Sequence, residues 1–315
     1  MINIIQLSFV SIIPLLIVAL GGLMSEKSGV TNIALEGIML MGAFIGIWAI
    51  QILEKTGMNV QLVYLLGILI GGVVGIIFSF FHAFASINMK ADQIISATAL
   101  NLFAPAFAIF TARSIIGGQQ VQFNSVFRIN KIPLLGDIPI IGEIFFSKTY
   151  ISFYIGILLL IIVWIFLYKT KTGLRIRATG ENPSAADSLG VNIYKIRYFS
   201  VLSSGFLAGM GGVIFVATTS SRFDATVAGF GFLSLAVLIF GNWQPGRILF
   251  AAVFFGFFRT ISSAYSSIPF LSNLKLPREV YQMLPYIITL IVLAFFSKNS
   301  RAPKAIGEVY DQGKR

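Results

Sequence analysis

KTKTGLRIRATGENPSAADSLGVNIYKIR, Lys169 to Arg197, is the one long hydrophilic interruption in a chain that is 57% hydrophobic. It holds six of the 23 Lys and Arg residues. Its centre reads as a short helix marked at both ends. Asn182 can cap it, Pro183 suits the first helical position, and Gly190 can adopt the left-handed conformation that stops it. A second start follows at once, with Asn192 ahead of a short helix over 193–199. Two short helices between two apolar spans would make a platform at a membrane face on which another protein could press. An ordinary basic cytoplasmic loop reads equally well from the residues alone.

Working outward, the flanking sequence fixes the class. A mean hydropathy of +0.88 with 11% charged residues lies far outside the range of soluble domains. The 30 Phe and 30 Gly suit membrane helices, where glycine lets helices approach closely. The expected fold is therefore all-α, a polytopic transmembrane helical bundle forming a single domain over 1–315. A net charge of +11 could point to nucleic acid, but the basic residues lie mostly in loops between apolar runs. That distribution follows the positive-inside rule, and no nucleic-acid partner is expected. The absence of cysteine excludes disulfides and thiolate metal sites, and the single histidine, His82, excludes sites built from several imidazoles. No GxxxxGK[ST], HExxH or GxSxG occurs, so no metal or catalytic site is expected. The first 24 residues lack a basic start and a small-residue cleavage site, and read as a retained helix.

About nine spans are expected, at 4–24, 33–53, 60–86, 95–115, 150–168, 198–219, 228–241, 248–267 and 280–297. The seventh is too short to cross a bilayer unaided and must be tilted, discontinuous or shielded. In the third, Gly67, Gly71, Gly72 and Gly75 put small residues on one face, which suggests a helix–helix contact. The connection 117–149 reads as a compact surface loop, its IPLLGDIPIIG section alternating too weakly for a strand. The basic tail, 298–315, is expected to be cytoplasmic and frayed. Placing the 169–197 loop inside puts 14 basic residues on that face and eight on the other, with Arg259 within a span. The N-terminus is then outside and the C-terminus cytoplasmic.

Charged and polar groups at membrane depth need a reason, since a central charge costs about 2.5–3.5 kcal/mol on insertion scales. Glu36 stands one turn into the second span, near a helix start at Thr31 or Asn32, with Glu26 and Lys27 just before it. Either these line a pathway at a broken helix, or they form an interfacial pair with ordinary capping. Gln93 and Asn101, with Asp92, pose the same question in the fourth span. His82 reads as a buried, hydrogen-bonded histidine, with a proton relay as the alternative.

SEKSGVTNIALEGIMLMGAF (25–44), ADQIISATALNL (91–102) and GLRIRATGENPSAADSLGVNIYKIRYFSVLSSGFLAGMGG (173–212) resemble the permease family of bacterial ABC importers. This is the superfamily of the branched-chain amino acid and ribose permeases. The E-[KR]-S-G-V-x-N-I-x-L-E-G opening is similar to its simple-sugar or purine-nucleoside branch. The resemblance implies that the platform (Gly180, Glu181, Asn182, Pro183, Ala185, Ala186 and Gly190) docks on a cytoplasmic ABC ATPase subunit, which would bind ATP and Mg. It also implies a second homologous permease, a substrate-binding lipoprotein or periplasmic protein, and a place in the cell (inner) membrane amid lipid. Asn32, Glu36, Gln93 and Asn101 are the candidates for a pathway carrying a nucleoside or simple sugar. An ion-coupled secondary transporter, using Glu36, Asp92 or His82, and an intramembrane enzyme stand as rival classes.

Overall fold

Apolar runs of about 20 residues have one satisfactory structure in lipid, the helix, because it pairs every backbone group internally. The computed structural model describes residues 2–133, 135–139, 141–267, 273, 277–296 and 302–311, and follows that rule. Its helices are α1 (Ile2–Glu26), α2 (Leu35–Leu53), α3 (Val60–Ala83), α4 (Gln93–Thr111), α5 (Ile141–Phe146) and α6 (Ile151–Lys169). They continue with α7 (Lys171–Glu181), α8 (Pro183–Ser188), α9 (Ile193–Thr219), α10 (Phe230–Phe240), α11 (Pro245–Ser263) and α12 (Arg278–Phe296). Seven of these are long and apolar enough to cross a membrane among the described residues. The half-length α10 and the terminal α12 occupy the seventh and ninth expected positions.

The hub is α9, which packs against α1, α2 and α3. Glycine makes that possible. A Cβ on Gly75 would run into the Gly205 carbonyl, one on Gly209 into the Gly71 carbonyl, and one on Gly212 into the Met39 carbonyl. The glycine face read in the third span is thus a contact surface, with Gly67 against Ile50 and Gly72 against Phe206. Backbones this close gain dispersion contacts that larger side chains would prevent.

Three expectations change. The connection 117–149 holds more order than a plain loop: strands β2 (Arg128–Lys131) and β3 (Ser147–Tyr150) pair antiparallel, Arg128 opposite Tyr150. Strand β1 (Val121–Gln122) pairs with β4 (Arg222–Phe223) beyond α9. Strands of two to four residues are too short for alternation to declare itself. The IPLLGDIPIIG section itself contains no strand among its described residues. Secondly, residues 193–199 are not a separate short helix but the first turns of α9. Thirdly, of the expected frayed tail 298–315, residues 302–311 are packed, with Ala305 and Tyr310 buried, and the rest lies outside the described residues.

Candidate functional site

Two interruptions of helix define the interior. The first joins α1 to α2. After Glu26 the chain makes a turn through Gly29, whose φ of +88° favours glycine, and α2 begins at Leu35. The second joins α9 to α10 through residues 220–229, ending at Gly229 with φ +75°. Irregular backbone is tolerated at membrane depth only where protein or a water-filled cavity satisfies it. Polar side chains from α2, α3 and α4 bond to backbone groups at both breaks.

Glu36 lies in the first turn of α2, yet its carboxylate belongs to another helix. Oε1 accepts from Gly229 N at 3.0 Å, and Oε2 accepts from Gly231 N at 2.7 Å and Phe232 N at 3.3 Å. It therefore caps the exposed donors and the positive dipole end of α10. The other end of α10 leads to Trp243, whose Nε1 donates to Glu26 Oε2 at 2.6 Å. One acidic residue from each side of the first break holds one end of the half-helix. Arg259 lies over the Phe230 ring, 5.5 Å from its centre.

The remaining candidates gather on the first break. Asn101 Oδ1 accepts from Gly37 N at 2.8 Å, and its Nδ2 donates to Ile33 O at 3.0 Å. Gln93 Oε1 accepts from Thr31 N at 2.7 Å. His82 Nε2 meets Thr31 O and its Nδ1 meets Ser96 Oγ, each at 2.9 Å. Asn32 Nδ2 donates to Ser204 Oγ at 2.9 Å. Asn32, Glu36, Gln93 and Asn101 are thus brought together around the two helix starts. Asn32 Oδ1 and Gln93 Nε2 are buried without a hydrogen-bond partner among the described residues. Sequence reasoning missed Ser204, Trp243, Gly229 and Gly231. The glycines bring only backbone N–H groups, but the AGFGF run ahead of a short apolar helix was a usable sign.

The platform carries its expected marks. Asn182 Oδ1 accepts from Ala185 N at 3.0 Å, Pro183 opens α8, and Gly190 has φ +79°. It begins with a helix the sequence reading did not resolve, α7, capped by Thr170 Oγ1 accepting from Gly173 N. Glu181, Asn182, Ala185 and Gly190 are exposed, Pro183 is half-buried, and Gly180 and Ala186 are buried. Leu189 is 86% exposed at the end of α8, an apolar knob that the sequence reading passed over. The platform presses on the first break. A Cβ on Gly180 would strike the Lys27 carbonyl. Burial pushes the Lys27 ammonium below its ordinary value, while Glu181 pulls it up and Arg177 adds to the depression.

At the opposite end of α9 a cleft of about 730 Å³ opens between residues 122–127 and 217–222. Its polar groups are largely engaged. Ser125 binds Glu54, Thr218 and Thr219 bond back to α9, and Arg222 pairs with Asp224 at 3.1 Å.

Among the described residues, seven helices long and apolar enough to cross a membrane, with polar side chains gathered on the turns between them, make this a polytopic membrane protein. The chain belongs to the branched-chain amino acid transport system / permease component family, which matches residues 4–293. It is 41% identical over 302 residues to the nucleoside ABC transporter permease protein NupC of Lactococcus lactis subsp. cremoris, covering 96% of this chain and 94% of that one. It is 41% identical over 305 residues, with the same coverage, to the guanosine ABC transporter permease protein NupQ of Bacillus subtilis. A solved inward-facing structure of a metal-chelate type ABC transporter shares the fold, with a TM-score of 0.51 and 16% identity over 93% of this chain and 85% of that one. This is a multi-pass membrane protein of the ABC permease type.

Proposed function

We propose that this chain is the permease subunit of an ATP-driven importer that carries a nucleoside across the cytoplasmic membrane. The observation that carries the substrate class is the 41% identity, across almost the whole chain, to two permeases named for nucleoside and guanosine transport. A separate ATPase would bind ATP and Mg²⁺ and dock on α7 and α8, with Leu189 and the exposed face of α8 as contacts. A substrate-binding protein would deliver the ligand from outside, and a homologous permease would complete the pathway. A neutral nucleoside asks for hydrogen-bonding groups without a strong charge partner. Asn32, Gln93 and Asn101 supply amides near the two helix starts, with the Glu36 charge neutralised by the α10 N-terminus.

In cells carrying the whole importer, uptake of labelled guanosine is expected to be competed by unlabelled nucleosides and not by glucose. It should vanish when the ATPase is deleted. Competition by glucose alone would move the substrate to a sugar, and uptake that outlives the ATPase would restore the ion-coupled reading.

Pro183→Glu and Gly190→Val test the platform. Gly190 has open space around it but a left-handed φ, so valine there strains the backbone by about 1–3 kcal/mol without disturbing packing. Both variants should reach the membrane at normal levels and show several-fold lower substrate-stimulated ATP hydrolysis. Normal hydrolysis in both would remove α8 from the coupling route. Orientation has its own check. Asn124→Cys should react with an impermeant maleimide in intact cells and Ser184→Cys should not, in a chain with no native thiol.

A further inference from the structure

The packed tail touches α7, α8, the start of α9, the first break and the approach to α4. Ala305 N donates to Gly180 O at 2.9 Å, where α7 ends. Two residues on, Gly307 N donates to Gly29 O at 3.0 Å, at the pivot of the first break. Tyr310 OH donates to Asp187 Oδ2 of α8 at 2.7 Å, its ring packing with Ala186 and Ile193. Asp311 pairs with Lys90 at 2.7 Å, ahead of α4. Between these contacts, Arg197 Nη1 donates to Glu308 O at 3.0 Å.

Arg197 gives the arrangement its force. It sits near the start of α9, is 2% exposed, and its Nε and Nη2 have no hydrogen-bond partner among the described residues. A buried guanidinium with one good acceptor is held in place by that acceptor. Its Nη2 and the Ala305 carbonyl would each lie 3.0 Å from a Cβ on Gly29. The tail, Arg197 and Gly29 are therefore packed against one another with no room for a side chain between them.

We propose that residues 302–311 are a second coupling element, adding hydrogen-bonded ties to the bare packing contact of Gly180 on Lys27, so that platform motion in either direction reaches Thr31 and Asn32 without passing along the length of α6 and α9. This rests on the reading of the chain as an ABC permease. A load path of two backbone bonds and one buried cation is short and stiff. The route through α6 and α9 must instead move whole spans through their glycine-packed neighbours.

The test uses the assembled importer in inverted membrane vesicles, with ATPase, second permease and binding protein present. Single cysteines replace Ser184 on the platform or Thr31 in the break, and labelling by an impermeant maleimide is timed without nucleotide and after trapping with ATP and vanadate. With the native tail, both sites should change rate by roughly 5-fold or more on trapping; with the tail removed, Ser184→Cys should keep its response and Thr31→Cys should fall below about 2-fold. The double variant Lys90→Met with Tyr310→Phe removes only the distal anchors and covers the case in which deletion of 302–315 prevents folding. It should weaken the Thr31→Cys response at unchanged membrane level. An equal Thr31→Cys response with native and altered tails overturns the proposal. Lack of any response at Ser184→Cys in the native chain overturns the ABC reading, and the proposal with it.

Discussion

Glu36→Ala is expected to lower the amount of folded protein in the membrane more than tenfold. The substitution leaves the N–H groups of Gly229, Gly231 and Phe232 without their acceptor. Gly231 is buried and Gly229 half-buried, and a buried donor left unsatisfied costs about 1–3 kcal/mol. The α10 dipole also loses its counter-charge, worth about 0.3–2 kcal/mol. Tenfold needs only 1.4 kcal/mol, so even heavily non-additive losses suffice. Glu36→Gln keeps one oxygen but turns an NH₂ toward a donor, so an intermediate level is expected. Membrane abundance and uptake per molecule separate the possibilities. Normal abundance with lost uptake would make Glu36 a ligand contact first. Normal values for both would show the cap to be dispensable.

Gly209→Leu should be at least as damaging. Gly209 meets the Gly71 backbone on α3 and approaches Gly42 on α2, so a side chain there opposes main chain that has no rotamer to change. Overpacking a well-packed core costs typically about 1–3 kcal/mol where side chains can shift, and here they cannot. The expected outcome is near-complete loss of α9 from its seat, read as degraded or aggregated protein after detergent extraction. Gly246→Ala is the control, since nothing lies within 4 Å of its added Cβ, and it should stay within about 0.5 kcal/mol of the native chain. Wild-type behaviour of Gly209→Leu would mean that the three-helix junction is looser than its distances indicate.

What the sequence reveals and hides divides along physical lines. Spans are legible because a bilayer demands a fixed length of apolar residues, and the glycine face of α3 because small residues three and four apart have few other uses. The α8 caps were legible because Asn182, Pro183 and Gly190 each act locally. Glu36, Gln93, Asn101 and Asn32 stood out as polar groups in apolar runs. What each binds did not, because the partners are mostly backbone groups, which carry no side-chain identity. The donors for Glu36 lie more than 190 residues away. Helix α7 was hidden by its own polarity, KTGLRIRATGE offering little apolar period. The packing of 302–311 is not legible because its order comes from surfaces elsewhere in the fold rather than from its own residues.

The clamp on α10 also has a consequence for biogenesis. Glu26 and Glu36 enter the membrane with the first helices, but Gly229, Gly231 and Trp243 follow some 193 to 217 residues later. At roughly 5–20 residues per second, the ribosome takes about 10–40 s to supply them. For that interval two carboxylates wait in or beside lipid without their final partners. The nascent chain must keep its early helices near the wetter environment of the insertion machinery, or protonate them, until α10 arrives. A ribosome stalled before residue 229 should therefore leave α1 and α2 unusually easy to extract and to proteolyse, and release past residue 243 should end that vulnerability abruptly.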